Sequence, residues 1–103
     1  MPKERIKRYE RVGISKNRYG ELKYIAKQYD ELQSLNKTPS AGDIRKIQAI
    51  EAAAQAADSA LFEWILQCVT AGKTFEQLNP PCGRVQFFRA RTRFFIELNR
   101  LLA

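Results

Sequence analysis

The sequence has 103 residues, of which 45% are hydrophobic and 28% are charged, and this balance is typical of a single globular domain rather than a disordered chain. The formal net charge is +7, and no apolar run approaches the roughly 18 residues that would cross a membrane. The chain has no histidine and two cysteines, which excludes histidine-dependent nucleophile pairs and an ordinary zinc site within it. We therefore expect no enzyme activity, no cofactor and no bound metal.

The positive charge is concentrated at the two ends of the sequence. Residues 1–20 carry seven basic and two acidic side chains (+5), residues 21–83 carry six and eight (−2), and residues 84–103 carry five and one (+4). Charge gathered on terminal elements is typical of a nucleic-acid-binding surface, and the alternative is an ordinary charged surface with a disordered basic tail. Because the chain also lacks a secretory signal and a disulfide framework, we expect a cytoplasmic protein.

Residues 1–13 are predicted to form a basic tail, and residues 14–103 a single helical domain. Ser15 can cap a first helix over about residues 16–34. Apolar side chains recur there at helical spacing and form one stripe: Tyr19, Leu22, Ile25, Tyr29 and Leu32. Gly20 weakens this helix by up to about 1 kcal/mol relative to alanine, which predicts close packing at that position.

The middle of the chain predicts two further helices after a loop over residues 36–42. The first begins at Asp43 and ends near Ala57, and its alanine-rich end presents a thin surface that permits close helix–helix approach. The next is capped by Asp58 and ends before Gly72. No segment predicts a strand, so the fold class is all-α, a small domain of about five helices.

The C-terminal third predicts a helix-turn-helix over about residues 74–102. Thr74 and Gln77 match the reciprocal capping pattern at the start of a short helix. The two prolines within residues 79–83 cannot continue that helix, and a long basic helix over about residues 84–102 follows. A short helix, a tight break and a long basic helix are the order of a helix-turn-helix, whose second helix enters the major groove of DNA.

The long helix separates into two faces at about 100° per residue. One face is apolar and is predicted to pack on the earlier helices: Phe87, Phe88, Phe94, Phe95, Leu98, Leu101 and Leu102. Arg84 and Arg91 both lie near this apolar arc. Arg84 is close enough to the N-terminus of the helix to reach DNA, whereas we expect the stem of Arg91 to cover the core. An ordinary amphipathic helix with a solvated arginine face is the alternative to a recognition helix.

The opposite face carries the residues that we predict to contact DNA. Arginine makes bidentate contacts with guanine and phosphate, and glutamine with adenine. Six candidates lie on the long helix and three in the tail: Arg84, Gln86, Arg89, Thr92, Arg93 and Arg100, with Arg5, Lys7 and Arg8.

The C-terminal third also carries a family resemblance. Its features are Val69-Thr70-x-Gly72, Cys82-Gly83-Arg84, Phe87-Phe88 and Arg91-x-Arg93-Phe94-Phe95. With these features the segment resembles small prophage proteins of Gram-positive bacteria, which are similar to phage late-transcription regulators and to the helix-turn-helix of sigma-factor region four. The stretch from Ile14 to Leu32 also resembles segments of prophage proteins. The resemblance implies a phage transcriptional regulator in the cytoplasm of a bacterial host, with DNA or the host RNA polymerase as its main partner.

Two functions are compatible with these features. The first is a sequence-specific regulator that binds double-stranded DNA, with a homodimer formed through the aromatic stripe of the first helix or through the alanine-rich second helix. The second is a phage-encoded protein-binding module that inhibits or redirects a host machine, such as RNA polymerase or a defence nuclease. Salt-dependent affinity for duplex DNA distinguishes the two.

Overall fold

The computed structural model describes residues 9–34 and 40–103. All the regular elements in these two stretches are helical, which confirms the all-α prediction. Six α-helices lie wholly within these two stretches, and a 3-10 turn over Ser59–Leu61 precedes the fourth of them. Their bounds are α1 Lys16–Lys27, α2 Tyr29–Ser34, α3 Ala41–Ala57, α4 Phe62–Ala71, α5 Phe75–Leu78 and α6 Arg84–Leu102. None of the helices described is both long enough and apolar enough to span a bilayer.

The predicted first helix is two helices. Its start is as predicted, because the Ser15 side chain accepts a hydrogen bond from the backbone N–H of Arg18 at 3.1 Å. The chain then turns at Gln28, whose N–H bonds to the carbonyl of Ile25 at 3.1 Å, and α2 begins at the next residue. The prediction of close packing at Gly20 is wrong, since a Cβ atom there would meet nothing within 4 Å.

The middle helices begin at capping residues. Ser40 caps α3 and exchanges reciprocal hydrogen bonds with Asp43, so the helix begins two residues before its predicted start. Asp58 caps the 3-10 turn rather than α4 itself, accepting from the N–H of Ala60 at 3.0 Å. As predicted, Gly72 ends the next helix, and its φ of 72° lies in the left-handed region that glycine tolerates.

The most extensive helix pair joins α3 and α6. The alanine face of α3 is buried at Ala49, Ala53 and Ala54, and small side chains let the two helices approach closely. The apolar face of α6 is buried, as predicted, at Phe87, Phe94, Phe95 and Leu98. It is half-buried at Phe88, Leu101 and Leu102.

The two faces that were predicted to form a homodimer lie inside this chain. The alanine face of α3 is covered by α6, and the stripe of α1 and α2 is buried at Tyr19, Leu22 and Tyr29. These side chains supply the protomer's own core, whereas Ala52 and Ala56 of α3 stay exposed, and the homodimer remains a prediction.

The folded part of the chain already includes residue 9, whereas the sequence placed the end of the tail at residue 13. Tyr9 is 1% exposed and stacks on Tyr19 with ring centroids 4.3 Å apart. Both rings meet the ring of Phe95 edge-on, at 6.2 and 5.3 Å. The chain reverses after Tyr9 through Gly13, whose φ is 82°, and Ile14 donates its N–H to the Tyr9 carbonyl at 3.0 Å.

Candidate nucleic-acid interface

The segment before α6 folds as the local signals predicted. The Thr74 hydroxyl accepts from the N–H of Gln77 at 3.2 Å, and the Gln77 side chain accepts from the N–H of Thr74 at 2.9 Å. The short helix α5 ends at Asn79, whose φ of 45° is left-handed, and Gly83 in extended conformation begins α6. The order of short helix, break and long helix is therefore confirmed.

The polar face of α6 points to solvent. Gln86, Arg89 and Arg93 are exposed, and they follow one another at three- and four-residue spacing, so they form one ridge along the helix. We call these three residues the α6 strip. In the part of the chain that the structure describes, neither arginine of the strip has an acidic partner.

Arg84 differs from the strip because it is already bound. Its guanidinium forms an ion pair with Glu76 of α5 and lies over two rings, 5.5 Å from the centroid of Phe75 and 5.4 Å from that of Phe88. The hydrogen bond from Arg84 lowers the pKa of the Glu76 carboxyl. A DNA base or phosphate would have to share Arg84 with this carboxylate.

Two other predicted contact residues are also engaged. Arg100 donates two hydrogen bonds to Glu97, at 2.8 and 3.2 Å, so its charge is paired within the helix. The Thr92 hydroxyl donates to the carbonyl of Phe88 at 2.9 Å and is half-buried. Of the six candidates on α6, the three residues of the strip are therefore those that are exposed and make no ion pair or side-chain hydrogen bond with another described residue.

Arg91 covers the core, as its place on the helical wheel predicted. Its guanidinium lies 5.1 Å from the centroid of the Phe95 ring and donates a hydrogen bond to the Tyr19 hydroxyl at 3.2 Å. Arg5, Lys7 and Arg8, the three candidates from the tail, lie outside the described residues.

An open groove of about 600 Å³ runs beside the strip, and its lining residues within the described part of the chain all belong to α6. They are Arg84, Val85, Phe88, Arg89 and Thr92. Val85 was not among the predicted contact residues, although it is 67% exposed. The signal that could have identified it is an apolar side chain on the polar side of the helical wheel.

A second groove of about 420 Å³ lies on the other side of Arg84 and Phe88, where α6 meets α1, α4 and α5. We call it the basic groove, because five of its lining residues are cationic: Lys23, Lys27, Lys73, Arg84 and Arg91. Helical periodicity could not predict this groove, because its cations come from α1, from the turn after α4 and from α6. Its three lysines also lie within residues 21–83, whose net charge is −2.

The described residues offer no obvious metal centre. Across 9–34 and 40–103, no three histidine, cysteine, aspartate or glutamate side chains come together. Cys82 is half-buried, and burial raises the pKa of its thiol.

The chain matches no protein-family model, and it matches neither a curated protein nor a solved structure. The likeness to prophage regulators therefore stays a prediction.

Proposed function

We propose that the protein is a sequence-specific regulator that binds double-stranded DNA and places the N-terminal half of α6 in the major groove. The observation that supports this most directly is the α6 strip, in which Arg89 and Arg93 are exposed without a carboxylate partner among the described residues. Gln86 lies in the first turn of the helix, where recognition helices contact base edges. The resemblance to prophage proteins adds the expectation that phage transcription is the regulated process.

The dimensions of α6 suit a major groove. An α-helix with its side chains is about 10–12 Å across, and the major groove is about 12 Å wide. Arg89 can donate two hydrogen bonds to guanine, Gln86 can make a bidentate contact with adenine, and Val85 can contact the methyl group of thymine. Arg89 has no ion pair to break before it binds, whereas Arg84 and Arg100 must exchange a carboxylate for the DNA.

The test is a binding comparison on two duplexes. A preferred sequence is first selected from random duplexes, with the DNA flanking the gene as a second source, and is compared with a scrambled duplex of equal length. Gln86→Ala and Arg89→Ala should weaken binding to the selected duplex by about 1–3 kcal/mol and relax its sequence preference at one or two positions. Gln86→Ala should leave the scrambled duplex nearly unaffected.

Arg100→Ala is the matched control on the same helix, because it removes an exposed arginine that Glu97 already pairs. It should change binding to both duplexes only slightly. Equal losses on both duplexes for Gln86→Ala would show that α6 does not contact bases. If the wild-type protein bound no duplex even at low salt, the proposed function would be wrong.

A second candidate function is a module that binds an acidic surface of a host protein such as RNA polymerase. The observation that favours it is the groove beside the strip, where an exposed Val85 lies next to Arg89. Such a groove can accept an amphipathic acidic helix. Binding of purified RNA polymerase that is lost in Val85→Asp but kept in Gln86→Ala would support this candidate over DNA reading.

A further inference from the structure

The basic groove combines several cations with little negative charge. Its cationic side chains come from the last half of α1, from the turn after α4 and from α6. Glu76 is the acidic residue among its described lining residues, and its carboxylate is already paired with Arg84. The remaining cations therefore face one another without a counter-charge from the lining, and such a surface attracts anions.

Three of these cations are held in place by neutral groups. The Lys23 ammonium lies 4.7 Å from the centroid of the Tyr19 ring, and Arg91 donates to the Tyr19 hydroxyl at 3.2 Å. The Lys73 ammonium donates to the side-chain carbonyl of Gln67 at 3.0 Å. A ring, a hydroxyl and an amide restrict the motion of a cation but do not cancel its charge, so these groups keep their attraction for an anion.

Guanidinium groups lie over three aromatic rings of the basic groove. Arg84 lies over the rings of Phe75 and Phe88, and Arg91 lies over the ring of Phe95. The groove therefore presents several separate cations beside apolar surface, and cations spaced along a surface suit the successive phosphates of a nucleic-acid backbone.

The basic groove also adjoins the groove beside the α6 strip. Arg84 and Phe88 line both, so a ligand whose bases lie against the strip has its backbone close to the basic groove. We infer that the sugar–phosphate backbone beside the major groove that α6 enters lies across the basic groove, where Lys23, Lys27 and Lys73 contact its phosphates. This inference rests on the proposed function and assigns the contacts that set affinity without setting sequence preference.

The test removes two charges from α1. Lys23→Gln/Lys27→Gln should weaken binding to the selected and scrambled duplexes by the same factor. It should also reduce the slope of log affinity against log salt by about 1.8, at about 0.9 for each phosphate contact. Lys73→Gln should reduce the slope by about 0.9. Circular dichroism and thermal unfolding establish that each variant is folded.

Arg45→Gln/Lys46→Gln is the matched control. It also removes two cations from one helix, but these residues line a different groove, formed with Arg18, Ile25 and Leu102. The control should leave the salt slope close to that of the wild type. If it reduced the slope as much as the α1 variant does, the effect would come from net charge alone and the inference would be overturned.

The remaining outcomes separate the inference from the proposed function. A wild-type slope in Lys23→Gln/Lys27→Gln, together with a sequence-specific loss in Gln86→Ala, would overturn the inference and leave the proposed function standing. Failure of the wild type to bind any duplex, with binding of polyglutamate that depends on Lys23 and Lys27, would overturn both and identify the groove as a site for acidic peptides.

Discussion

The arginines of α6 differ in the contacts that each must break before it binds a new partner. Arg84 is held by Glu76 and by two rings, Arg100 by Glu97, and Arg91 by Tyr19 and Phe95. Arg84 and Arg100 were predicted as DNA contacts together with Arg89, because helical spacing reports the face of a residue but not the side chains that reach it from elsewhere. Glu76 lies eight positions before Arg84, and only the turn between α5 and α6 brings the two together.

Glu76→Gln should increase the affinity for duplex DNA at low salt. The substitution frees the Arg84 guanidinium and removes a negative charge from the edge of the basic groove, so the salt slope should rise by up to about 0.9. Stability should change little, since an exposed ion pair contributes little to the free energy of unfolding. Glu63→Gln, an exposed position on α4 that lines neither groove, is the control, and an equal gain there would contradict the assignment.

Tyr9 and Tyr29 allow a matched test of two buried hydroxyl groups. The Tyr9 hydroxyl makes no hydrogen bond of normal geometry to a described residue, although the Thr92 and Tyr19 hydroxyls lie near it, whereas the Tyr29 hydroxyl donates to Glu51 at 2.6 Å. Tyr9→Phe keeps the stacked ring and should leave the free energy of unfolding unchanged or raise it by about 1 kcal/mol. Tyr29→Phe should lower it by about 1–2 kcal/mol. Urea unfolding of both variants measures the difference, and a larger loss in Tyr9→Phe would show that its hydroxyl is paired.

Single elements differ in how much of their structure is encoded locally. The bounds of α5 and α6 were predicted because a capping pair, two prolines and a glycine lie next to each other in the sequence. The break between α1 and α2 was missed because Gln28 is neither a proline nor a glycine. Tyr29, the residue that follows, is buried and hydrogen-bonded to Glu51 of α3, so the change of direction is coupled to tertiary contact.

Two glycines on helices should respond in opposite directions to alanine. Gly20 lies inside α1 with open space around it, so Gly20→Ala should raise the free energy of unfolding by about 0.5–1 kcal/mol. Gly72 ends α4 at a φ of 72°, so Gly72→Ala should lower it by about 1 kcal/mol even though no atom obstructs the new Cβ. Thermal unfolding of the two variants tests this. A change in the free energy of unfolding of the same sign in both would contradict the view that backbone conformation determines the two effects.

At the scale of the whole molecule, one helix supplies both the core and the proposed binding surface. The apolar face of α6 is buried against the other helices, and its opposite side carries the α6 strip. Local periodicity was enough to predict this division. It could not predict the basic groove, because Lys23 and Lys73 are distant in sequence and meet only when α1 and α4 pack beside α6.

The folded domain should lose stability in alkali. Burial raises the pKa of Tyr9 to about 12, and burial together with the hydrogen bond to Glu51 raises that of Tyr29 to about 12. An unfolded tyrosine loses its proton near pH 10, so the stabilisation is complete below that pH and is lost as the pH rises from about 10 to 12. Urea midpoints at pH 9 and pH 11 should differ in the wild type and differ less in Tyr9→Phe. Equal midpoints in the wild type would contradict this prediction.

The contact of Tyr9 with Tyr19 and Phe95 has a consequence for the order of folding during synthesis. Tyr9 and Tyr19 leave the ribosome before the ring that completes their cluster, because that ring lies on α6. The alanine face of α3 likewise stays uncovered until α6 has been synthesised. In a nascent chain from which α6 has not yet emerged, the other helices lack the helix against which they pack. We therefore expect fixed tertiary structure to form in a single step once α6 has emerged.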